Sequence, residues 1–301
     1  MNPSAITPGH IVAAVDGSDH ALRAVQWAAG QANLEGRPLA LVHVTGHEGE
    51  LPTTYRTVER NDVMWVDEAL RASHLILKEA EKVAAAVVTD LDVHSVSVHG
   101  EPRSVLPEIS DSAHLLVLGS RGRGVVRSRL LGSVSAAVAK SARCPVVVTR
   151  PGEPGKIKDG IVVAADGTAE SAPVVEFAFR QASLHGVPLT VMHCVYDLAV
   201  AMTGVRANIR DFPDTEDQAL VLAESVAGLT EKYPDVHVTQ ELAHGLVRER
   251  LTDHPRPWNL VVVGRHPVSG LRWITGSTAI DVMERSNSVL AVVPQAAPAR
   301  D

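Results

Sequence analysis

The chain has little of what marks secreted, membrane or nucleic-acid-binding proteins. Its 2 cysteines, Cys144 and Cys194, allow no disulfide framework beyond one bridge, and we expect free buried thiols in a reducing compartment. Aromatic residues make up 3% of the chain, and a net charge of -7 gives no overall reason to bind nucleic acid or an anionic membrane. The N-terminus lacks a charged region followed by an apolar stretch, and no apolar run reaches membrane-spanning length. These absences predict a cytoplasmic protein that binds neither nucleic acid nor membrane.

The most informative feature present is an internal repeat. Residues 11–43 recur as residues 161–193, including an Asp-Gly turn after an apolar run and a Gln-Ala-x-Leu-x-Gly segment that precedes a second apolar run. A repeat of this length is a whole domain, so it indicates a tandem duplication. We predict two domains, residues 1–150 and 151–301, joined by a linker rich in proline and glycine at the start of the second.

Apolar runs alternate with helical periodicity along both halves. We predict strands at residues 11–15, 39–44, 93–98, 114–118 and 145–149, and again at 161–165, 189–194, 236–242, 260–263 and 289–293. Helices are predicted between them, among others at residues 63–88, 105–110 and 133–141. This alternation predicts an α/β protein with two Rossmann-like, doubly wound domains, each a five-stranded parallel sheet in the order 3-2-1-4-5 flanked by helices.

The loop after the fourth predicted strand, residues 119–135, is rich in glycine and arginine. Glycines let a backbone approach a ligand closely, and successive amides in such loops form concave anion sites. Gly132 and Ser133 stand where the next helix begins, so unpaired N–H groups and the positive end of the helix dipole would face a phosphate. The Ser133 hydroxyl is a further donor, and Arg123 and the other arginines of the loop supply positive charge.

Asp16 follows the first strand, which the predicted strand order places beside the fourth. The carboxylate would therefore face the glycine-rich loop across the switch point of the sheet. It cannot favour phosphate, but it can accept a hydrogen bond from a ribose hydroxyl or an adenine amine. Asp16 and Ser133 are also suited to capping the helices that follow them, with or without a ligand.

His43 and His193 occupy equivalent positions near the end of the second predicted strand of each half. No metal-binding pattern accompanies them, which favours a structural role over a role as metal ligands.

The spacing of the loop is specific: Gly119, two residues, Gly122, nine residues, then Gly132 and Ser133. It resembles the G-2x-G-9x-G-(S/T) pattern for ATP binding in the universal stress protein family. The Asp16 turn, residues 98–102 and residues 144–148 also look like that family. The resemblance extends over both halves and is to the tandem type found in mycobacteria and other actinobacteria.

The resemblance implies an ATP-binding regulatory or stress-adaptation factor, with ATP bound with or without Mg²⁺. Family members dimerise through their last strand, so residues 146–148 and 289–293 are expected to pair, forming an internal pseudo-dimer and mediating homo-oligomers. The protein partner is not identified by sequence. The resemblance places Asp16 and Val44 near the adenosine and the following residues around the phosphates: Gly119, Gly122, Gly132, Ser133 and Val134.

The second copy departs from the pattern. Pro267 stands where the loop requires its second glycine, and proline has no N–H group. The segment between Pro267 and Gly276 is also one residue shorter than its counterpart. Asp166, Gly264, Gly276 and Ser277 are retained, so we predict a weaker second site formed by these four residues.

Two other functions stay open. A slow, metal-dependent ATPase or phosphohydrolase would use Asp16 or His99 to serve a bound metal and water, whereas a nucleotide-free dimerising adaptor would use the loop only as a connection. No Walker motif occurs, and residues 119–135 contain no lysine. Rapid phosphoryl transfer requires a metal-binding carboxylate and a positioned nucleophile. We therefore expect no catalytic residue, no protein-held metal and at most slow hydrolysis.

Overall fold

The structure, a computed structural model, describes residues 6–46, 62–122, 131–151, 159–195, 215–252, 257–265 and 278–296. The chain divides into two compact units, Met1–Arg150 and Pro151–Asp301. Four residues discussed above lie outside the described ranges: Arg123, Pro267, Gly276 and Ser277. Among the helices described, none is both long and apolar enough to cross a membrane.

The first unit is a parallel sheet flanked by helices. Its strands are β1 (Ile11–Ala14), β2 (Leu39–Thr45), β3 (Val93–His99), β4 (Leu115–Gly119) and β5 (Val146–Thr149). They lie in the order β3-β2-β1-β4-β5, and their pairings are parallel. The helices are α1 (Asp19–Glu35), α2 (Asp62–Val87), α3 (Pro102–Ile109) and α4 (Ser133–Ser141). The predicted fold class and strand order are confirmed for this unit.

The second unit repeats the architecture. Its strands are β6 (Ile161–Ala164), β7 (Leu189–Val195), β8 (Val238–His244), β9 (Leu260–Arg265) and β10 (Leu290–Pro294). They lie in the order β8-β7-β6-β9-β10, again with parallel pairings. The helices are α5 (Ala172–His185), α6 (Thr215–Lys232), α7 (Val247–Thr252) and α8 (Thr278–Arg285), and a 3₁₀ turn, Ala169–Ser171, precedes α5.

Local signals explain some of the element boundaries. Gly36 ends α1 with φ 60°, and Gly186 ends α5 with φ 61°, a left-handed conformation that glycine adopts without a Cβ penalty.

The predicted start of α3 at residue 105 is wrong, because the helix begins at Pro102 and proline suits the first helical turn. The predicted start of β8 at residue 236 is also wrong, because the N–H of Val236 donates to Tyr233 O in the turn after α6.

The inner strands explain the apolar runs of the sequence. Ile11, Leu41 and Val117 are completely buried, as expected for a parallel sheet covered on both faces.

The two cysteines differ in burial: Cys144 is buried as expected, but Cys194 is only half-buried. Burial raises the pKa of the Cys144 thiol to about 12 and that of Cys194 to about 11. Both thiols are therefore protonated and unreactive at neutral pH.

Candidate functional site

Asp16 and the glycine-rich loop meet at the carboxyl ends of β1 and β4. A Cβ atom added to Gly122 would lie 2.5 Å from Asp16 Oδ2. Asp16 Oδ1 accepts a hydrogen bond of 3.0 Å from the N–H of Ser18. The cap of α1 is Ser18, whose Oγ accepts from the N–H of Ala21. The alternative in which Asp16 caps this helix is therefore wrong, and its carboxylate faces the start of the loop.

Two glycines of the pattern have structural roles in the loop. A Cβ atom on Gly119 would lie 2.7 Å from the carbonyl carbon and oxygen of His20, so a side chain there would displace the backbone of α1. The N–H of Gly132 donates to Ser120 O at 2.9 Å and closes the loop. The Gly132 amide is thus used inside the protein. Gly119 and Gly132 shape the loop, and other amides are the candidates for binding an anion.

Helix α4 begins at the closed end of the loop. Gly132 is its N-cap residue, and no side chain caps the helix, so the expectation that Ser133 is the cap is wrong. Ser133 is exposed and Val134 half-buried at the first two helical positions, whose N–H groups have no acceptor within a helix. The buried Ser135 hydroxyl donates to Gly119 O at 2.8 Å and ties α4 to the end of β4. The helix start is therefore fixed beside the loop.

Arg103 is a residue of this region that the sequence did not single out. It follows Pro102 at the start of α3, and its Nη2 donates to Ser133 Oγ at 2.9 Å. The side chain is 55% exposed. Alignment of the two halves could have indicated it, because Arg103 and Arg248 occupy equivalent positions after the third strand of each half.

Two arginines place positive charge around His20, beside the loop. His20, in the first turn of α1, lies with its Nδ1 3.3 Å from the hydroxyl of the buried Ser120. Burial lowers the pKa of His20, and the positive charges of Arg23 and Arg121 lower it further, against the weaker opposing effects of Asp19 and Asp16. The neutral form of His20 is therefore favoured, and the surrounding arginines favour an anion.

The strand-end histidines have structural partners. His43 Nδ1 lies 2.7 Å from Val15 O, and His193 Nδ1 lies 2.8 Å from Ala165 O, so each ring joins two neighbouring strand ends. Within the described ranges, no three His, Cys, Asp or Glu side chains are grouped so that they could hold a metal ion. Val44 is half-buried near the end of β2 and pairs with Val98. Val44 and Asp16 therefore both lie at the carboxyl end of the strands.

Both halves of the chain are similar to known proteins. The profile of the universal stress protein family matches residues 8–150 and 159–294. The chain belongs to this family. One universal stress protein of Mycobacterium tuberculosis is 32% identical over 291 residues, covering 95% of this chain and 97% of that protein. Another from the same organism is 30% identical over 306 residues, covering 95% of each.

Solved structures share the fold. A universal stress protein from Archaeoglobus fulgidus superposes with a TM-score of 0.67 at 16% identity, over 96% of this chain and 97% of that chain. At this identity the likeness shows the fold alone. The resemblance inferred from the loop spacing is confirmed by the family match, which includes both halves of the chain.

The second universal stress protein domain differs from the first at the carboxylate. Asp166 Oδ1 accepts from the N–H of Thr168 at 3.0 Å and from its hydroxyl at 2.7 Å. Asp166 Oδ2 accepts from Gln295 Nε2 at 3.1 Å. Gln295 follows β10, and its Nε2 would lie 2.9 Å from a Cβ atom on Gly264. A side chain of the protein therefore lies over Gly264 and binds the carboxylate.

These hydrogen bonds set the ionisation of Asp166. Burial alone would raise the pKa of this carboxyl, but hydrogen bonds from Thr168, Ser171 and Gln295 outweigh burial and hold the pKa below its usual range. In the first domain the position equivalent to Gln295 is Pro151, which has no donor. The second domain thus supplies a side-chain donor to its aspartate that the first domain does not have at the equivalent position.

Proposed function

We propose that the first universal stress protein domain binds ATP and that the chain acts as a nucleotide-dependent regulatory or stress-adaptation factor. The observation that carries this proposal is the approach of Gly122 to Asp16 beside the start of α4, which joins a carboxylate, a glycine-rich loop and a helix N-terminus at one switch point. Ligands of doubly wound sheets bind at such switch points.

The adenosine end of the proposed site contains Asp16 and Val44. The Asp16 carboxylate is an acceptor for the ribose hydroxyls or the adenine amine, and Val44 offers apolar contact at the neighbouring strand end. Asp16 is itself oriented by the N–H of Ser18. An oriented acceptor loses little entropy when it binds a ligand, which favours affinity.

The phosphate end contains the first turn of α4. The N–H groups of Ser133 and Val134 and the positive end of the helix dipole favour an anion, as at other phosphate-binding helix starts. The Ser133 hydroxyl is an additional donor, and Arg123 contributes charge from the part of the loop outside the described residues. Mg²⁺ would enter as the counter-ion of ATP, and no side chain of the chain is assigned to it.

Purified full-length protein provides the test. We expect adenine nucleotide to be released on denaturation and identified by mass spectrometry, and we expect ATP to bind the nucleotide-free protein in calorimetry. Absence of both would contradict the proposal and favour the nucleotide-free adaptor. Rapid, metal-dependent release of phosphate would instead favour the ATPase or phosphohydrolase, because we propose at most slow hydrolysis.

We further propose that residues 146–148 and 289–293, the last strands of the two halves, pair with each other as an internal pseudo-dimer, and that chains associate through sheet-edge strands. These segments are apolar and β-branched, and an open edge of this composition pairs readily with another strand. The first unit expressed alone should self-associate in analytical ultracentrifugation. A first unit that is monomeric across the accessible concentration range would contradict this proposal without affecting the proposed nucleotide site.

A further inference from the structure

The two units carry the same arginine with different partners. Arg103 in the first unit donates from Nη2 to Ser133 Oγ at 2.9 Å. Its equivalent in the second unit, Arg248, donates from Nη1 to Asp281 Oδ2 at 3.4 Å. Asp281 lies on α8, the counterpart of α4, at the position that Ala137 occupies in the first unit. The second unit therefore supplies an anion for its arginine, and the first unit has alanine at that place.

Among the described residues, the negative charge paired with Arg103 is a weak partner. The ion pair between Arg103 and Glu101 is 3.8 Å long, and the two side chains are 55% and 61% exposed. Solvent screens such a pair, so it contributes little. Arg248 and Asp281 are 35% and 37% exposed, which makes their pair the better shielded of the two. Of the two arginines, Arg103 is the one placed to recruit an anion from outside.

We propose that Arg103 makes the proposed site selective for nucleotides with a polyphosphate chain. Because the Nη2 group donates to Ser133 Oγ, the hydroxyl hydrogen of Ser133 is directed away from the arginine and remains a donor for a phosphate oxygen. The guanidinium is planar and has several N–H donors, so it can bind Ser133 and a phosphate oxygen together. Asp281 in the second unit occupies the place of that external anion. The proposal rests on the proposed function.

The experiment compares ATP with adenosine on the full chain by calorimetry. Arg103→Ala should weaken ATP binding about tenfold or more and leave adenosine binding unchanged. Arg103→Lys should give an intermediate loss of ATP affinity, because lysine keeps the positive charge but lacks the planar set of N–H donors of the guanidinium. Arg248→Ala is the matched control, and it should leave both affinities at the parental values.

A gain of charge tests the same inference without removing Arg103. Ala137→Asp introduces the carboxylate of the second unit on the half-buried face of α4. It should lower ATP affinity and spare adenosine, and its effect on ATP affinity should be smaller when Arg103 is alanine. This dependence on Arg103 indicates that Arg103 selects for phosphate. If Arg103 were only a structural link between α3 and α4, the substitutions would alter the unfolding temperature and would affect ATP and adenosine binding alike.

The outcomes are distinguishable. If the parent binds no ATP, the proposed function fails and the inference fails with it. If the parent binds ATP and Arg103→Ala binds it equally well, the inference alone is overturned. A loss that is equal for ATP and adenosine would also overturn it. If Arg103→Ala does not fold, the test uses Arg103→Lys and Ala137→Asp instead. Each should lower the ratio of ATP affinity to adenosine affinity, and an unchanged ratio in both would overturn the inference.

Discussion

Gly122 lies so close to Asp16 that a Cβ atom on the glycine would stand 2.5 Å from Asp16 Oδ2. The other oxygen of that carboxylate is held by the N–H of Ser18, so Asp16 cannot turn aside without losing a hydrogen bond. At this distance a Cβ atom and the carboxylate oxygen overlap, so one of them would have to move. The position of the Asp16 carboxylate after the first strand therefore requires a residue without a Cβ atom at Gly122.

We predict that Gly122→Ala weakens the binding of both ATP and adenosine. The added methyl group displaces the Asp16 carboxylate, and loss of a hydrogen bond to a charged group costs about 1.5–3 kcal/mol, or roughly tenfold to hundredfold in affinity. Calorimetry with both ligands measures the effect. On an Asp16→Ala background the obstacle is gone, so Gly122→Ala should add little.

Gly30→Ala is the control for that substitution, because a Cβ atom at Gly30 in α1 meets nothing within 4 Å. It should bind both ligands as the parent does. Parental affinity in Gly122→Ala would mean that the loop moves freely away from Asp16 and that the close approach has no part in binding.

The fold was predictable because its determinants are local. Apolar runs such as Leu39–Thr45 and the helix-ending Gly36 give strand and helix positions directly from neighbouring residues. The approach of Asp16 to the loop was also predictable, since the strand order dictates it. The start of α3 was misplaced because Pro102 is a helix start only in the context of the turn before it.

The hydrogen bonds between particular distant side chains were not predictable from local sequence. Arg103 and Ser133 are 30 positions apart, and Gln295 and Asp166 are 129 positions apart. No local pattern indicates which arginine reaches a given helix start or which amide meets a given carboxylate. The close packing of Gly119 against the backbone of α1 likewise appears only once the helix is docked on the sheet.

We predict that one ATP binds per chain, in the first unit. In the second unit Gln295 donates to Asp166, and Asp281 pairs with Arg248. These protein groups would compete with ATP at both ends of an equivalent site. In the full chain, Asp16→Ala should lower ATP affinity roughly tenfold to hundredfold, and Asp166→Ala should leave it unchanged. Calorimetric stoichiometry gives the count. Two equivalents of ATP, or loss of binding in Asp166→Ala, would show that the units are equivalent.

We predict that ATP raises the pKa of His20. Burial and the charges of Arg23 and Arg121 hold this pKa below its ordinary value in the free protein. A polyphosphate bound near these arginines adds negative charge, which favours the imidazolium form, whereas adenosine adds none. NMR titration measures the pKa, with His20→Gln assigning the signal among the 14 histidines. An identical titration curve with and without ATP would place the phosphates elsewhere.

We predict that Gln295→Ala destabilises the second unit in a pH-dependent manner. The folded pKa of Asp166 lies below its usual range, with Gln295 among the causes. A carboxylate of this kind stabilises the fold above the unfolded pKa of about 3.9, and this contribution is lost as pH falls through the folded pKa. A hydrogen bond to a charged group is worth about 1.5–3 kcal/mol when buried, and screening at this partly exposed position reduces the expected loss to about 1 kcal/mol near neutral pH.

Urea unfolding at a series of pH values measures the free-energy difference between the parent and Gln295→Ala. The difference should be greatest near neutral pH and should shrink below about pH 3.9, as Asp166 becomes protonated. The pH dependence should disappear when Asp166→Asn is the background, because the titrating partner is then absent. A difference that is constant with pH would instead mean that Gln295 stabilises the unit by packing over Gly264, and its role as the donor that occupies the second site would be wrong.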